Sequence, residues 1–366
     1  GGCGMGRKIG IALAGLAGLV VLAGGIAWAA LWFSPSLQDA AIERRATAMV
    51  TPENEVLSKN ALHVVFCGTG SPLPDPDRAS ACYGIYAGGH FFLLDAGPGG
   101  WAKLARMRVP VGGIDGVLLT HLHSDHIGGL PDIALNTWAA GRKAPLRVYG
   151  PRGTEMVVEG LDEAYAIDNG YRIKHHGPKL LPPEAAHMEA VIVDVPDYDK
   201  AVTVFDRDGL KISAFQVNHL PVKPAYGYRV DFKGRSVVFS GDTKKEENVA
   251  RFGKGADVMV HEALAAHMVN TIGRVLAKAG DRRAKIMGDI PDYHTTPVEA
   301  AGIANEAGAA LPVYSHIVPA LPNALAERVF LRGVGDVRAK GTMLGYDQLY
   351  LELPVGSGEI VRHDLR

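Results

Sequence analysis

The first 34 residues show no alternation of apolar and polar positions. From Ile9 to Ser34 the chain runs through 26 uncharged residues rich in Ala, Leu, Gly, Val and Ile. Roughly 20 apolar helical residues suffice to cross a bilayer core. Arg7 and Lys8 precede the run, and Trp28, Trp32 and Phe33 close it as an interfacial aromatic belt would. The positive-inside rule sets the amino end in the cytoplasm and the rest of the chain outside. Residues 1–34 therefore read as a transmembrane signal anchor in the inner membrane, with the remainder of the chain on the extracytoplasmic side, periplasmic or extracellular. Cleavage as a signal peptide at Ala27-Trp28-Ala29, giving a secreted protein, is the alternative. Residues 35–60 read as a polar linker, with a short amphipathic helix over Ser36–Val50 between Pro35 and Pro52.

From Ala61 onward, short β-rich runs alternate with Gly, Pro and Asp clusters. His63–Cys67, Tyr83–Ala87 and His90–Asp95 read as consecutive strands, the last two joined at Gly88-Gly89. Gly116–Thr120 is apolar throughout, as a strand covered on both faces should be. Further strands are expected at Leu146–Tyr149, Leu210–Val217, Tyr226–Phe232, Ser236–Ser240, Val258–Val260 and Pro312–Ser315. Helices are expected over Ile127–Ala140 and Val298–Gly308. This alternation predicts one layered α/β domain over residues 61–366. Residues 160–205 hold His175-His176, Pro182-Pro183 and an acidic run, and read as a lid-like insertion.

Composition narrows the classes. Lys and Arg number 38 against 39 Asp and Glu, a formal charge of −1, which disfavours a general nucleic-acid binder. Three Cys are too few for a disulfide scaffold. Cys67 and Cys82 fall on neighbouring strands, so a disulfide and a pair of small buried hydrophobes are both open.

The chemistry concentrates in Thr120-His121-Leu122-His123-Ser124-Asp125-His126. Four candidate ligands, His121, His123, Asp125 and His126, fall within six residues directly after an apolar strand. Imidazole and carboxylate suit zinc, with iron and manganese as open alternatives. One tetrahedral ion cannot readily use all four, so two ions in one cleft are expected. Three more candidates follow apolar strands: His219, Asp242 and His316.

These residues resemble the metallo-β-lactamase-fold hydrolase superfamily, over roughly residues 61–350. The likeness also includes Gly68-Thr69-Gly70-Ser71-Pro72 and Asp95-Ala96-Gly97. It is closest to the branch holding arylsulfatase-type hydrolases and tRNA 3′-processing endonucleases, on His123 to Asp132, His261-Glu262-Ala263 and His294-Thr295-Thr296. The resemblance implies a four-layer αββα sandwich with the metals at one sheet edge. It assigns His121, His123 and His219 to a first zinc and Asp125, His126 and His316 to a second, with Asp242 bridging. Asp125 would orient or deprotonate the attacking water, and Glu262 with His294 would relay a proton to the leaving group.

The main expectation is a membrane-tethered dinuclear zinc hydrolase. It would use a metal-bridging hydroxide to cleave small anionic sulfate or phosphate esters. A tRNA 3′-processing-type phosphodiesterase, and a lactonase or β-lactamase, are the alternatives. Nucleic acid is disfavoured as a partner by the net charge and by the lack of a basic cluster in residues 160–205. Monomer and homodimer are both open. Arg78 reads either as an anion contact or as a surface salt bridge. Tyr171, His175 and His176 read either as lining the substrate entrance or as ordinary packing.

Overall fold

The computed structural model describes the backbone of residues 3–50, residue 57 and residues 60–365. The chain divides into two compact units, Gly1–Glu53 and Asn54–Arg366. The first holds helices α1 (Cys3–Phe33) and α2 (Pro35–Val50). Within α1, Leu16–Phe33 is long and apolar enough to cross a membrane, and its apolar side chains are exposed. Of the expected linker, residues 51–56, 58 and 59 lie outside the described residues.

The second unit is an α/β sandwich of two sheets. The strands are β1 (Ala61–Gly68), β2 (Cys82–Ala87), β3 (His90–Ala96), β4 (Gly116–Leu118), β5 (Leu146–Gly150), β6 (Met188–Ile192), β7 (Val202–Arg207), β8 (Leu210–Gln216), β9 (Tyr226–Phe232), β10 (Arg235–Phe239), β11 (Val258–Leu264), β12 (Leu311–Val318), β13 (Met343–Leu344), β14 (Leu349–Pro354) and β15 (Val361–Asp364). One sheet runs β15-β14-β1-β2-β3-β4-β5-β6 and the other β13-β12-β11-β10-β9-β8-β7. The helices are α3 (Gly100–Arg106), α4 (Ser124–Ile127), α5 (Leu130–Ala139), α6 (Thr154–His176), α7 (Glu247–Phe252), α8 (Ala266–Lys278), α9 (Arg283–Asp289), α10 (Pro297–Ala307), α11 (Ala324–Phe330) and α12 (Val334–Val337).

β1 shows how the layers form. Leu62, Val64 and Phe66 point into the core between the sheets, with Tyr228, Phe232 and Phe239 from the second sheet. Val65 and Cys67 point the other way, towards Leu104 of α3, Ile133 of α5 and Val158 of α6. Both faces are covered, so the strand is apolar without a period of two. α7 and α10 cover the outer face of the second sheet with Val249, Ile303 and Ala304.

Strand direction sets the functional edge. β3, β4 and β5 are parallel, and so are β10, β11 and β12. β9 is antiparallel to both β8 and β10, so those two point the same way. The carboxyl ends within each sheet therefore share one edge. There Tyr228 donates its hydroxyl to the Leu119 carbonyl at 2.9 Å and the Tyr226 amide donates to the Thr120 carbonyl at 2.9 Å, tying sheet to sheet.

Two expectations change. The helix expected over Ile127–Ala140 divides into α4 and α5, because Gly128 and Gly129 break it and Pro131 restarts it. Residues 160–205 are not a free-standing insertion. They form most of α6, the edge strand β6 and the start of β7, each in a layer of the sandwich.

Cys67 and Cys82 form a disulfide across β1 and β2, with Cα atoms 4.9 Å apart. It closes a loop of 15 residues, for which chain entropy gives about 3 kcal/mol. Replacing both residues by Ser should lower the unfolding free energy by about 2–3 kcal/mol in guanidinium titrations of the full chain. The same unfolding midpoint with and without reductant would count against this.

Candidate metal centre

Each functional side chain is delivered by a strand that ends at the shared edge. β4 runs into the loop bearing His121 and His123, and α4 then presents Asp125 and His126. His219 follows β8, Asp242 follows β10, and His316 lies near the end of β12 with φ 47°. Such a positive φ in a non-glycine residue is a strained conformation that the surrounding structure must hold.

These seven residues converge. Asp242 Oδ2 lies 3.3 Å from His316 Nε2 and 3.4 Å from His126 Nε2. It lies 3.9 Å from His121 Nε2 and 4.0 Å from His219 Nε2. His123 Nδ1 is 2.9 Å from His121 Nε2. Asp125 Oδ2 is 3.1 Å from His316 Nε2 and 3.4 Å from His126 Nε2. Ligand atoms of His121, His123, His219 and Asp242 all lie within 4.8 Å of one another, as do those of Asp125, His126 and His316. A third such group joins Asp242, His294 and His316.

All but His123 and His294 are buried. Burial pushes the His121 pKa well down, and the neighbouring imidazoles add to this, which keeps that ring neutral as a ligand must be. Burial opposes charge on Asp242, but His316 and His126 outweigh it and hold its pKa well below the ordinary carboxylate value.

The residues present fit divalent cations. Imidazole nitrogens and carboxylate oxygens are the donors that zinc, iron and manganese take. Buried His126 Nε2 and His219 Nε2, which both face Asp242, have no hydrogen-bond partner among the described residues, a costly state for buried polar atoms without an acceptor, donor or metal.

A supporting shell fixes the rings. His126 Nδ1 donates to Asp95 Oδ2 at 2.8 Å, while Asp95 Oδ1 accepts from the Thr120 amide at 2.9 Å. His219 Nδ1 donates to the Tyr293 carbonyl at 3.0 Å. In both rings the other nitrogen is left for the centre. His294 Nδ1 donates to Glu262 Oε1 at 2.8 Å, and that oxygen also accepts from the amides of Thr243 and Thr295 at 3.0 and 3.2 Å. Burial opposes charge on His294, but Glu262 outweighs it and raises the pKa to about 9.

Asp95 and Tyr293 were not singled out as site residues by the sequence. Asp95 had a readable signal, an acid ending an apolar strand. Tyr293 had none, since its backbone carbonyl does the work. Of the two readings of Arg78 the ion pair is found, with Nε 3.9 Å from Asp75 Oδ2, but both side chains are largely covered. Arg78 also donates from Nη1 to Thr69 Oγ1 and the Gly345 carbonyl, both at 2.6 Å. Tyr171, His175 and His176 lie far along α6. Its first turn adjoins Leu122 at Gly153, and they sit roughly 25–33 Å beyond it at 1.5 Å per residue.

A family model described as the beta-lactamase superfamily domain matches residues 90–317. A ribonuclease Z of Mycobacterium bovis (strain BCG / Pasteur 1173P2) is 39% identical over 263 residues, covering 71% of this chain and 87% of the relative. Among solved structures, the metallo-beta-lactamase fold protein YhfI from Bacillus subtilis superposes with a TM-score of 0.57 at 18% identity, over 80% of this chain and 99% of that one. Human tRNase Z, short form, superposes at 0.56 and 21% identity over the same shares.

The ribonuclease Z relatives overturn two expectations, a small sulfate or phosphate ester as the substrate and nucleic acid as a disfavoured partner. The physical error lay in the charge argument. A formal charge of −1 sums the whole chain, whereas a phosphodiester meets only the local field around its scissile bond.

Asp95→Ala should weaken metal binding by about 10–100-fold through loss of the His126 orientation. Competition titration with a chromophoric chelator measures this, and wild-type affinity in the variant would refute it.

Proposed function

Because this chain belongs to the beta-lactamase superfamily and, within it, to the family of its ribonuclease Z relatives, we propose that it is an RNA phosphodiesterase of the tRNA 3′-processing type. It is a metal-dependent hydrolase of ester bonds, and the proposal concerns which ester. The observation that carries it is the Glu262–His294 pair beside the cluster, together with 39% identity to a ribonuclease Z over 87% of that relative.

Two zinc ions are the proposed cofactors, held by His121, His123 and His219 on one side and by Asp125, His126 and His316 on the other, with Asp242 shared. Such ions supply Lewis acidity that activates water and stabilises charge on a phosphoryl oxygen. The chain's own groups do the rest. Asp125 accepts the proton of the attacking water. His294, held charged at neutral pH by Glu262, donates its proton to the departing ribose oxygen. Glu262 is fixed by two backbone amides, so it holds the ring's orientation as well as its charge.

We also propose that residues 1–34 act as an uncleaved signal anchor with the hydrolase unit on the extracytoplasmic side. The Arg7-Lys8 pair before the apolar run supports this. So does the Cys67–Cys82 disulfide, a bond that persists in oxidising compartments.

Metal-loaded full chain should cleave a precursor tRNA with a kcat/KM far above that for aryl sulfates or a β-lactam. Preference for the aryl sulfate would sink the RNA reading. His294→Ala should lower kcat on the RNA by about 10²–10⁴-fold with metal content unchanged. A carboxyl-terminal alkaline phosphatase fusion should be active and a cytoplasmic-only reporter inactive, and the opposite pattern would refute the anchor orientation.

A further inference from the structure

The catalytic cluster leaves unused a groove of about 610 Å³ between α8 and the α11 segment. Met268 and Val329 form its half-buried floor. Its rim carries Asn270, Thr271, Arg274 and Arg332, all exposed. His267 Nε2 donates to the Val329 carbonyl at 3.0 Å and ties the two walls together.

The charge of this groove sets it apart. No carboxylate lines it, and α8 carries no acid from Ala266 to Lys278. Arg274 donates from Nη2 to Thr271 Oγ1 at 2.8 Å. Neither Arg274 nor Arg332 has a carboxylate partner among the described residues. Arg147, Arg172, Arg251 and Arg283 each pair with an acid, whereas Arg106, Arg207, Arg282 and Arg328 do not among the described residues, so what marks this groove is two such arginines in one concavity that no carboxylate lines. Two unneutralised guanidiniums beside Asn and Thr donors make a phosphate-type recognition set, because the guanidinium fork matches phosphate oxygens.

Its position fits a substrate that continues past the centre. α8 begins four residues after Glu262, and α11 follows the strand that carries His316. Both walls therefore start at the metal-bearing edge. Arg274 lies eight residues into α8, roughly 12 Å from its start at 1.5 Å per residue.

We propose that this groove binds the phosphodiester backbone of RNA flanking the scissile bond, with Arg274 and Arg332 contacting successive phosphates. This rests on the RNA reading of the centre. The groove places part of the substrate's binding energy away from the bond being cleaved, and it gives an RNA-length ligand an advantage that a small ester lacks.

The test uses the metal-loaded full chain and the Arg274→Gln/Arg332→Gln variant. Two substrates are compared over a range of salt, a precursor tRNA and a bis-aryl phosphodiester. The variant should raise KM for the tRNA about tenfold. It should also flatten the slope of log KM against log salt by about one for each lost phosphate contact, roughly two in all. Metal content and aryl diester turnover should stay at wild-type values. Arg274→Lys/Arg332→Lys should keep the salt slope, since the charge remains. Unchanged tRNA KM and slope in the Gln variant would overturn the groove and leave the RNA reading standing. Equal losses on both substrates would also overturn it, because the arginines would then act through the centre. A wild-type enzyme that turns over the aryl diester but not the RNA would sink the RNA reading, and the groove with it.

Discussion

One carboxylate oxygen organises the catalytic edge. Asp242 Oδ2 lies within 4.0 Å of ring nitrogens from His121, His126, His219 and His316. Burying so many polar groups between two apolar sheets is costly unless each finds a partner. Hydrogen bonds among the seven do not satisfy them all, because His126 Nε2 and His219 Nε2 have no partner among the described residues. A cation held there would resolve the imbalance, since lone pairs that repel one another would all become donors to a shared positive charge. The sandwich supplies the rigidity that this needs. Packed strands hold the seven side chains at one edge before any ligand arrives, so little ordering remains to be done on binding.

The shell behind the centre has the same logic. Asp95, Glu262 and the Tyr293 carbonyl each accept from one ring nitrogen, and the orientation of the other follows. Glu262 differs from Asp95 in what its partner can do. His126 is enclosed by Asp95 and the two acids of the cluster, whereas Glu262 is the one ion-pair partner of His294 among the described residues. A charged imidazole held by a single carboxylate is better placed to give up a proton than one locked among three. Two histidine–carboxylate pairs of the same length, 2.8 Å, thus differ in their surroundings.

Much of this was legible in the sequence for a specific reason. A strand covered on both faces is apolar throughout, so a polar residue at its end stands out, and His219, Asp242 and His316 were found that way. The strands of the sandwich were legible by the same contrast, as with Tyr226–Phe232, which matches β9. Asp95 has the same signature, but it was read only as part of a family string. Contacts made by backbone atoms, such as the Tyr293 carbonyl, leave no trace in side-chain pattern. Residues 160–205 misled because polarity and prolines were taken for an excursion. α6 buries only a narrow stripe, with Thr154 and Val158 fully covered, and a helix on the outside of a sheet needs no more. Arg78 misled in the opposite sense. It follows an acidic turn that looks exposed, yet its guanidinium turns inward to hold the loop at Thr69 and Gly345.

The choice between a small ester and an RNA turns on where binding energy is found. Among the described residues, the cavity that touches the cluster is too small to envelop a small ester. The cavity lined by His126, Asp242, Glu262 and His316 is only about 20 Å³, the size of a single water. A hydrolase built this way gains little by gripping the reacting group alone. Contacts with remote parts of a long substrate can instead be used to position the scissile bond. A polyanion offers such contacts at every phosphate, and it responds to local charge, not to the sum over the chain. Near neutrality overall is therefore compatible with RNA chemistry, provided that the acids are kept out of the path. A groove lined by two arginines and no carboxylate, where α8 meets α11, is the local feature that this argument requires.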